Sequence, residues 1–305
     1  MSELLRVSNE VADALAHGFP VVALETSIVG QGLPHPHNLR AARESEAAVR
    51  EEGAIPATVA VLEGRVHVGV TDAELERIAR GSVKVSSRDL GWAVARGAVG
   101  ATTVAATMRA AVMAGIRFFA TGGIGGVHRG HPEDESSDLI ELSRTPVAVF
   151  CAGAKIILDL RLTLERLESL TVPVLGYECD EFPAFYSRRS GHPVSSRVDT
   201  PDETARVLQA SWATGSRGVV VAIPPPVELE GAEEIVQRAV RELADLSGPE
   251  LTPRLLARIA ELSRGRSLDL NVDLVVNNAR VAARVASAFS ALRKGVSKPP
   301  ARTPY

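Results

Sequence analysis

The chain has 305 residues, a formal net charge of −3, 45% apolar and 23% charged residues. That composition is ordinary for a globular protein able to bury a large core, and it carries no basic footprint for nucleic acid. Two cysteines, Cys151 and Cys179, make neither a disulfide framework nor a zinc-type spacing; no apolar run reaches the roughly 20 residues of a membrane span, and the acidic, amphipathic start is no signal peptide, so a cytoplasmic location is expected.

In chain order, residues 4–17 read as a helix and "PVVALE" (20–25) as a strand ending in Glu25. "GLPHPHN" (32–38) is a turn-rich loop before a helix over 39–52, and 57–70 is a hairpin about Glu63-Gly64. "TDAE" (71–74) is a capping box opening a helix that stops at Gly81. Then come a strand at 83–86, a helix near 89–96, a helix over 100–115 and a strand running into the glycine loop of 117–126. "AVFCAGAK" (148–155) is a buried strand followed by small residues and Lys155; a helix is expected over 156–170 and a strand over 173–178. "TPDE" (200–203) starts a helix to 214 with threonine cap, proline and glutamate in order. A strand over 217–226, a helix over 252–262 and a long helix from about 270 to 292 follow. Continuous apolar strands alternating with helices predict a layered α/β fold with a mixed, largely parallel sheet. No repeat or linker interrupts it, so we expect one catalytic domain over 1–293 and a tail disordered by composition over 294–305.

The lysine count singles out candidates. Of 34 Lys plus Arg, only Lys84, Lys155, Lys294 and Lys298 are lysine. Arginine stays protonated, so a free amine in the folded body must come from Lys84 or Lys155. An amine that loses its proton can attack an electrophilic carbon and form an imine, which makes Lys155 a candidate nucleophile. Lys84 is either a phosphate clamp or a surface lysine. Glu25, just after a strand, is either a general acid or base or an ion-pair partner; ligands in such sheets gather where strands end. "GATT" (100–103) is either an anion site at a helix N-terminus or an ordinary cap. "GGIGGVH" lacks the third glycine of a dinucleotide fingerprint, because His128 stands there. It is a close-approach loop or a simple turn. "EDESSD" (133–138) offers oxygen ligands to a hard cation, or is a solvated face. His35 and His37 have no third ligand nearby at zinc spacing.

The ordered blocks "ALETSIVGQGLPHPHN", "KVSSRDL", "GATTVAATM", "TGGIGGVHRG", "VFCAGAK", "GYECDEFPAFYSRRSG" and "SLDLNVDLVVNN" span residues 23–278 and resemble the pseudouridine-5′-phosphate glycosidases. The resemblance implies a three-layer α/β/α sandwich, a homotrimer, and reversible cleavage of the C–C bond between uracil and ribose 5-phosphate with a divalent cation, typically manganese. It implies that Lys155 is the imine-forming nucleophile and Glu25 the acid that protonates the departing base carbon. Lys84 and Val104 match substrate contacts, Lys84 near the phosphate; Ser136, Ser137 and Asp138 match a substrate-binding triplet; His128 matches a histidine of the site. Asp134, 21 residues before Lys155, falls at the metal position.

The chain departs from the family pattern in "HRGHPEDESSDL", a shortened loop with Glu135 and Ser137 where isoleucine and alanine are usual, and in "PHPHN". These departures cluster on the loops expected to frame the base. A second reading is therefore a C-glycosynthase that joins ribose 5-phosphate to an aromatic acceptor of polyketide type.

Overall fold

The computed structural model describes residues 3–243 and 251–296. In chain order it contains β1 (Leu5–Val7), α1 (Asn9–Ala16), β2 (Val21–Leu24), a π-helical turn (Ile28–Gly32), α2 (His37–Glu51), β3 (Ile55–Leu62) and β4 (Arg65–Val68). Next are α3 (Asp72–Arg80), β5 (Val83–Val85), a 3₁₀ turn (Ser87–Asp89), α4 (Leu90–Ala95), β6 (Gly100–Thr102), α5 (Val104–Ala114) and β7 (Phe118–Ala120). The second half holds β8 (Val127–His128), β9 (His131–Glu135), α6 (Ser137–Arg144), β10 (Ala148–Cys151), β11 (Leu158–Asp159), α7 (Leu160–Ser169), β12 (Val174–Tyr177) and β13 (Ser196–Val198). It closes with α8 (Pro201–Ala213), β14 (Val219–Ala222), α9 (Ala232–Glu242), α10 (Leu251–Leu262) and α11 (Arg266–Val296).

The main sheet runs β1-β4-β3-β2-β7-β10-β14-β12-β13, with β6 joined to β3 and β5 to β6. From β3 to β13 every neighbour is parallel; β4 and β6 run antiparallel to β3. Each central strand is buried on both sides, and its residues alternate between two cores. On β2, Val21 and Ala23 face one core while Val22 and Leu24 face the other; on β10, Val149 and Cys151 alternate with Ala148 and Phe150. The second core is closed by α2, α8 and α11 through Val49, Leu208 and Ala279 to Phe289, and the first by α5, α6 and α7 through Ala106, Leu139 and Leu167. The result is the layered, mixed, largely parallel architecture that the apolar strand runs predict, with helices on both faces.

Local signals succeed where they are self-contained. The Thr71/Glu74 capping box forms with both reciprocal bonds, and the Thr200 hydroxyl accepts from the Glu203 amide at the start of α8. They mislead where a neighbour supplies the missing bonds. Residues 4–17 are not one helix: β1 pairs in parallel with β4, and Ser8 caps a helix that begins at Asn9. Residues 100–102 are strand β6, held between β3 and β5, so the helix starts only at Val104. The stretch after Lys155 first forms β11 against β8 before α7 begins. The last helix is longer at both ends than its apolar pattern suggests, and residues 294–296, expected in the tail, belong to it; residues 297–305 lie outside the described residues.

Candidate active site

Three adjacent parallel strands, β2, β7 and β10, end at one edge of the sheet. The chain leaves β2 toward β3 on one side and returns to pair β7 on the other. That reversal opens the crevice in which open α/β sheets bind ligands. Glu25 follows β2, Thr121 follows β7, and Lys155 lies four residues beyond Cys151, at the end of β10. Glu25 is buried, and its carboxylate accepts from the hydroxyls of Ser27 and Thr121. Burial pushes its pKa up; the neighbouring Lys155 ammonium, then Ser27 and Thr121, pull it down without cancelling the rise. Lys155 is half-buried, with its backbone amide donating to the Ile124 carbonyl at 3.0 Å. Cys151, four residues upstream, is fully buried and burial pushes its thiol up to about 12, so Lys155 is the candidate nucleophile of this segment and Cys151 is not.

Lys84 reaches the same crevice along another route. It sits in the middle of β5 opposite Ala101 of β6. It is solvent-accessible, yet protein on several sides lowers its pKa by desolvation, with the Lys155 charge second; Asp138 and Glu25 oppose both. Strand β6 delivers the start of α5 beside β2. The hydroxyls of Thr26 and Thr102 both donate to the Val59 carbonyl at 2.7 Å, and the Thr102 amide donates to the Thr26 hydroxyl at 3.0 Å. Val104 therefore opens α5 at the crevice, preceded by Thr103, whose buried hydroxyl has no partner among the described residues.

Asp138 ties these parts together. Its carboxylate accepts from the Gly125 amide at 2.8 Å and from the Ala105 amide at 2.9 Å, joining the glycine loop to the first turn of α5. Gly125 is required there: a Cβ would lie 2.2 Å from the Ser136 hydroxyl and 2.7 Å from Asp138 Oδ2. The glycine loop is thus a close-approach loop. Ser136 caps α6, and the Ser137 hydroxyl lies 2.7 Å from that of Ser86, two residues past Lys84. The structure therefore gathers Glu25, Lys84, Val104, Ser136, Ser137, Asp138 and Lys155. His128, half-buried on β8 opposite Leu158, lies in the small sheet that borders them.

Asp134 stands apart, exposed on β9, and no group of three His, Cys, Asp or Glu side chains able to hold a metal forms among the described residues. Among the residues that break the family pattern, Glu135, Ser137 and His37 have partners within the protein. Glu135 pairs with Arg166 of α7 at 2.9 Å, Ser137 with Ser86, and His37, at the start of α2, lies 3.5 Å from Asp269 of α11. Sequence reasoning missed Ser27 and Thr121, which hold Glu25, and Asn278. The Asn278 amide, buried on α11, donates to the Thr121 carbonyl at 2.8 Å, while its Oδ1 has no partner among the described residues. The "NN" of the block around residue 278 was the available signal; its meaning depends on a contact spanning 157 residues.

The family model described as indigoidine synthase A like protein matches residues 10–288. A pseudouridine-5′-phosphate glycosidase from a Nocardioides species is 53% identical, over 95% of this chain and 98% of its own length. One from Deinococcus radiodurans is 52% identical, over 94% and 96%. Among solved structures, the prealnumycin C-glycosynthase AlnA, in complex with ribulose 5-phosphate, superposes with a TM-score of 0.88 at 39% identity, covering 96% of this chain and 99% of its own. An indigoidine synthase A-like protein from Thermotoga maritima gives 0.86 at 32% identity, covering 94% and 97%. With full-length relatives at this identity, the chain belongs to the pseudouridine-5′-phosphate glycosidase family, within the reach of the indigoidine synthase A-like model.

Proposed function

We propose that this enzyme breaks, and in reverse forms, the C–C glycosidic bond between uracil and ribose 5-phosphate in pseudouridine 5′-phosphate. The observation that carries this reading is a buried carboxyl with a raised pKa, Glu25, beside the Lys155 amine at one sheet edge. A C–C glycoside has no leaving oxygen or nitrogen to protonate. Capture of the sugar carbon by an amine, with an acid aimed at the base carbon, supplies another route. The Lys155 nitrogen attacks C1′; the C1′–N bond forms, the C1′–O4′ bond breaks, and O4′ takes the proton that nitrogen gives up. Glu25 then protonates C5 of uracil. The C1′–C5 bond breaks with its electrons returning to the pyrimidine ring, and the nitrogen lone pair closes the imine. Water adds to C1′ and expels Lys155, returning ribose 5-phosphate. Incubation with pseudouridine 5′-phosphate tests the reading by the uracil released; no release would remove it.

Lys84 and the N-terminus of α5, with the Thr103 hydroxyl, form the phosphate end. Lys84→Ala should raise KM for the phosphorylated substrate by about 10- to 100-fold, the loss of one charge-assisted hydrogen bond. Binding of unphosphorylated ribose should hardly change. Because the Lys84 pKa is lowered, phosphate affinity should fall as pH rises through it, and this dependence should vanish in the variant.

A divalent cation, of the manganese kind, belongs to the proposal with one protein ligand. Asp134 would supply a carboxylate, and water and substrate oxygens the rest, as hard cations on phosphate substrates accept. When bound, the ion supplies positive charge beside the substrate anion; no step above passes through it. Chelator should lower activity, and Asp134→Ala should raise the cation concentration needed for half-maximal rate. Full activity in chelator would remove the cation.

The C-glycosynthase reading has the likeness to AlnA in its favour. It is placed second because the full-length glycosidase relatives are 52–53% identical against 39% for AlnA, and because Glu135, one of the residues that depart from the family pattern, is engaged by Arg166. Efficient coupling of ribose 5-phosphate to a hydroxynaphthoquinone, with negligible uracil release, would reverse the order. A cytoplasmic location suits the phosphorylated substrate, and no helix among the described residues is long and apolar enough to cross a membrane. The trimer that the resemblance implies is tested by light scattering.

A further inference from the structure

Phe185 adopts a left-handed backbone with φ of 63° and is nevertheless buried. For a bulky aromatic residue this is an outlier, and such strain persists only when its surroundings over-determine it. Those surroundings are the loop that carries Thr121, a partner of Glu25, and the loop that carries Lys155. The Phe185 ring lies on Gly123, where an added Cβ would be 2.7 Å from its Cε2. The Phe185 amide donates to the Ala152 carbonyl at 3.0 Å, and Gly153, itself at φ of 87°, leaves no room for a Cβ against the Pro183 carbonyl at 2.0 Å. Beneath the ring the loops hold each other: the Ile124 amide donates to the Gly153 carbonyl and the Lys155 amide to the Ile124 carbonyl, both at 3.0 Å. The wedge is anchored from behind, since Tyr186 packs edge-on against Phe185 at 4.8 Å and accepts from the Asn271 amide of α11.

We infer that Phe185 is a positioning residue, a wedge that fixes the loop bearing Thr121 against the loop bearing Lys155 and thereby sets the amine relative to the Glu25 carboxyl. The inference rests on the roles proposed above for Lys155 and Glu25. Glycine at 185 would satisfy the backbone without strain, so the ring must be what the position needs.

The test uses the full chain with Phe185→Gly. The first readout needs no substrate. Hydrogen exchange at the Ile124 and Lys155 amides should quicken by at least roughly tenfold, with the strand amides of β7 and β10 unchanged, as expected of a local opening. The second is turnover of pseudouridine 5′-phosphate: kcat should fall by about 100-fold, the cost of misplacing reacting groups by about 1 Å, with KM unchanged because Lys84 lies outside the wedge. The alkaline limb of kcat should also move to higher pH, since Lys155 would no longer hold the Glu25 carboxyl down. Unchanged exchange at both amides, or raised exchange with wild-type kcat, would overturn the inference. If wild-type enzyme releases no uracil, the activity reading fails and the exchange result alone decides. If Phe185→Gly does not fold, Phe185→Leu, which keeps an apolar side chain without the flat ring, is read by the same criteria.

Discussion

Lys155→Arg should abolish uracil release although it keeps the positive charge. Guanidinium stays protonated throughout the accessible pH range, so it preserves every electrostatic influence on Glu25 and Lys84 while offering no lone pair. Lys155→Ala should be equally inactive. Removing a covalent nucleophile costs on the order of 10⁶-fold in kcat. The half-buried position of Lys155 and the backbone bond from its amide to Ile124 are unaffected by either change, so both variants should melt near the wild-type temperature. Borohydride added with ribose 5-phosphate should fix one sugar phosphate on Lys155 in the wild type and none in either variant, as read by peptide mass. An adduct of full mass in Lys155→Ala would move the nucleophile elsewhere in the chain.

Glu25→Gln should separate the two halves of the reaction. Glutamine keeps the shape: its amide oxygen can accept from one of the two hydroxyls that now donate to the carboxylate, Ser27 and Thr121, while its NH2 donates to the other, but it has no acidic proton to give. Cleavage of the C–C bond should fall by about 10²- to 10⁴-fold, the usual contribution of a general acid. Imine trapping from ribose 5-phosphate should persist. The wild-type pH profile follows from the sign of the Glu25 shift. A general acid works while protonated, burial pushes its pKa up, and activity should be lost as pH rises through that raised value. The same shift bears on stability. A carboxyl whose folded pKa exceeds its unfolded value binds more protons when folded, so its contribution to stability falls as pH rises from the unfolded pKa toward the folded one. Glu25→Gln should therefore melt no lower than the wild type at neutral pH. Simultaneous loss of trapping and of thermal stability would argue that Glu25 is an ion-pair partner and no acid.

The two cases illustrate different kinds of legibility. Lys155 stands out by scarcity and by its place after an apolar run, and Glu25 by ending another; both are local features. Asp138 was legible as a substrate residue through the family pattern, but its bonds to Gly125 and Ala105 depend on β7 and α6 lying beside the start of α5. The acceptor-loop departures were legible as departures, yet the partners that explain them, Arg166 for Glu135 and Ser86 for Ser137, are 31 and 51 residues away. The family pattern suggested divergence of the pocket; the structure adds that Glu135 and Ser137 each have a partner within the protein. Phe185 gave no local sign of strain, because a positive φ at an aromatic residue is imposed by the loops on either side of it.

By itself the sequence determined the layered class, the caps of α3 and α8, and the candidate amine and acid, since these depend on periodicity, neighbouring hydroxyls and residue type over a few positions. Only the tertiary structure decided that 5–7 and 100–102 are strands, because these short segments become strands by pairing with β4, β3 and β5 rather than by their own pattern. It also decided the chemistry of the site. Thr121 reaches Glu25 across 96 residues and Asn278 reaches Thr121 across 157. Such contacts exist only once parallel strands from separate parts of the chain have been placed side by side with their carboxyl ends on one edge, which no local pattern encodes.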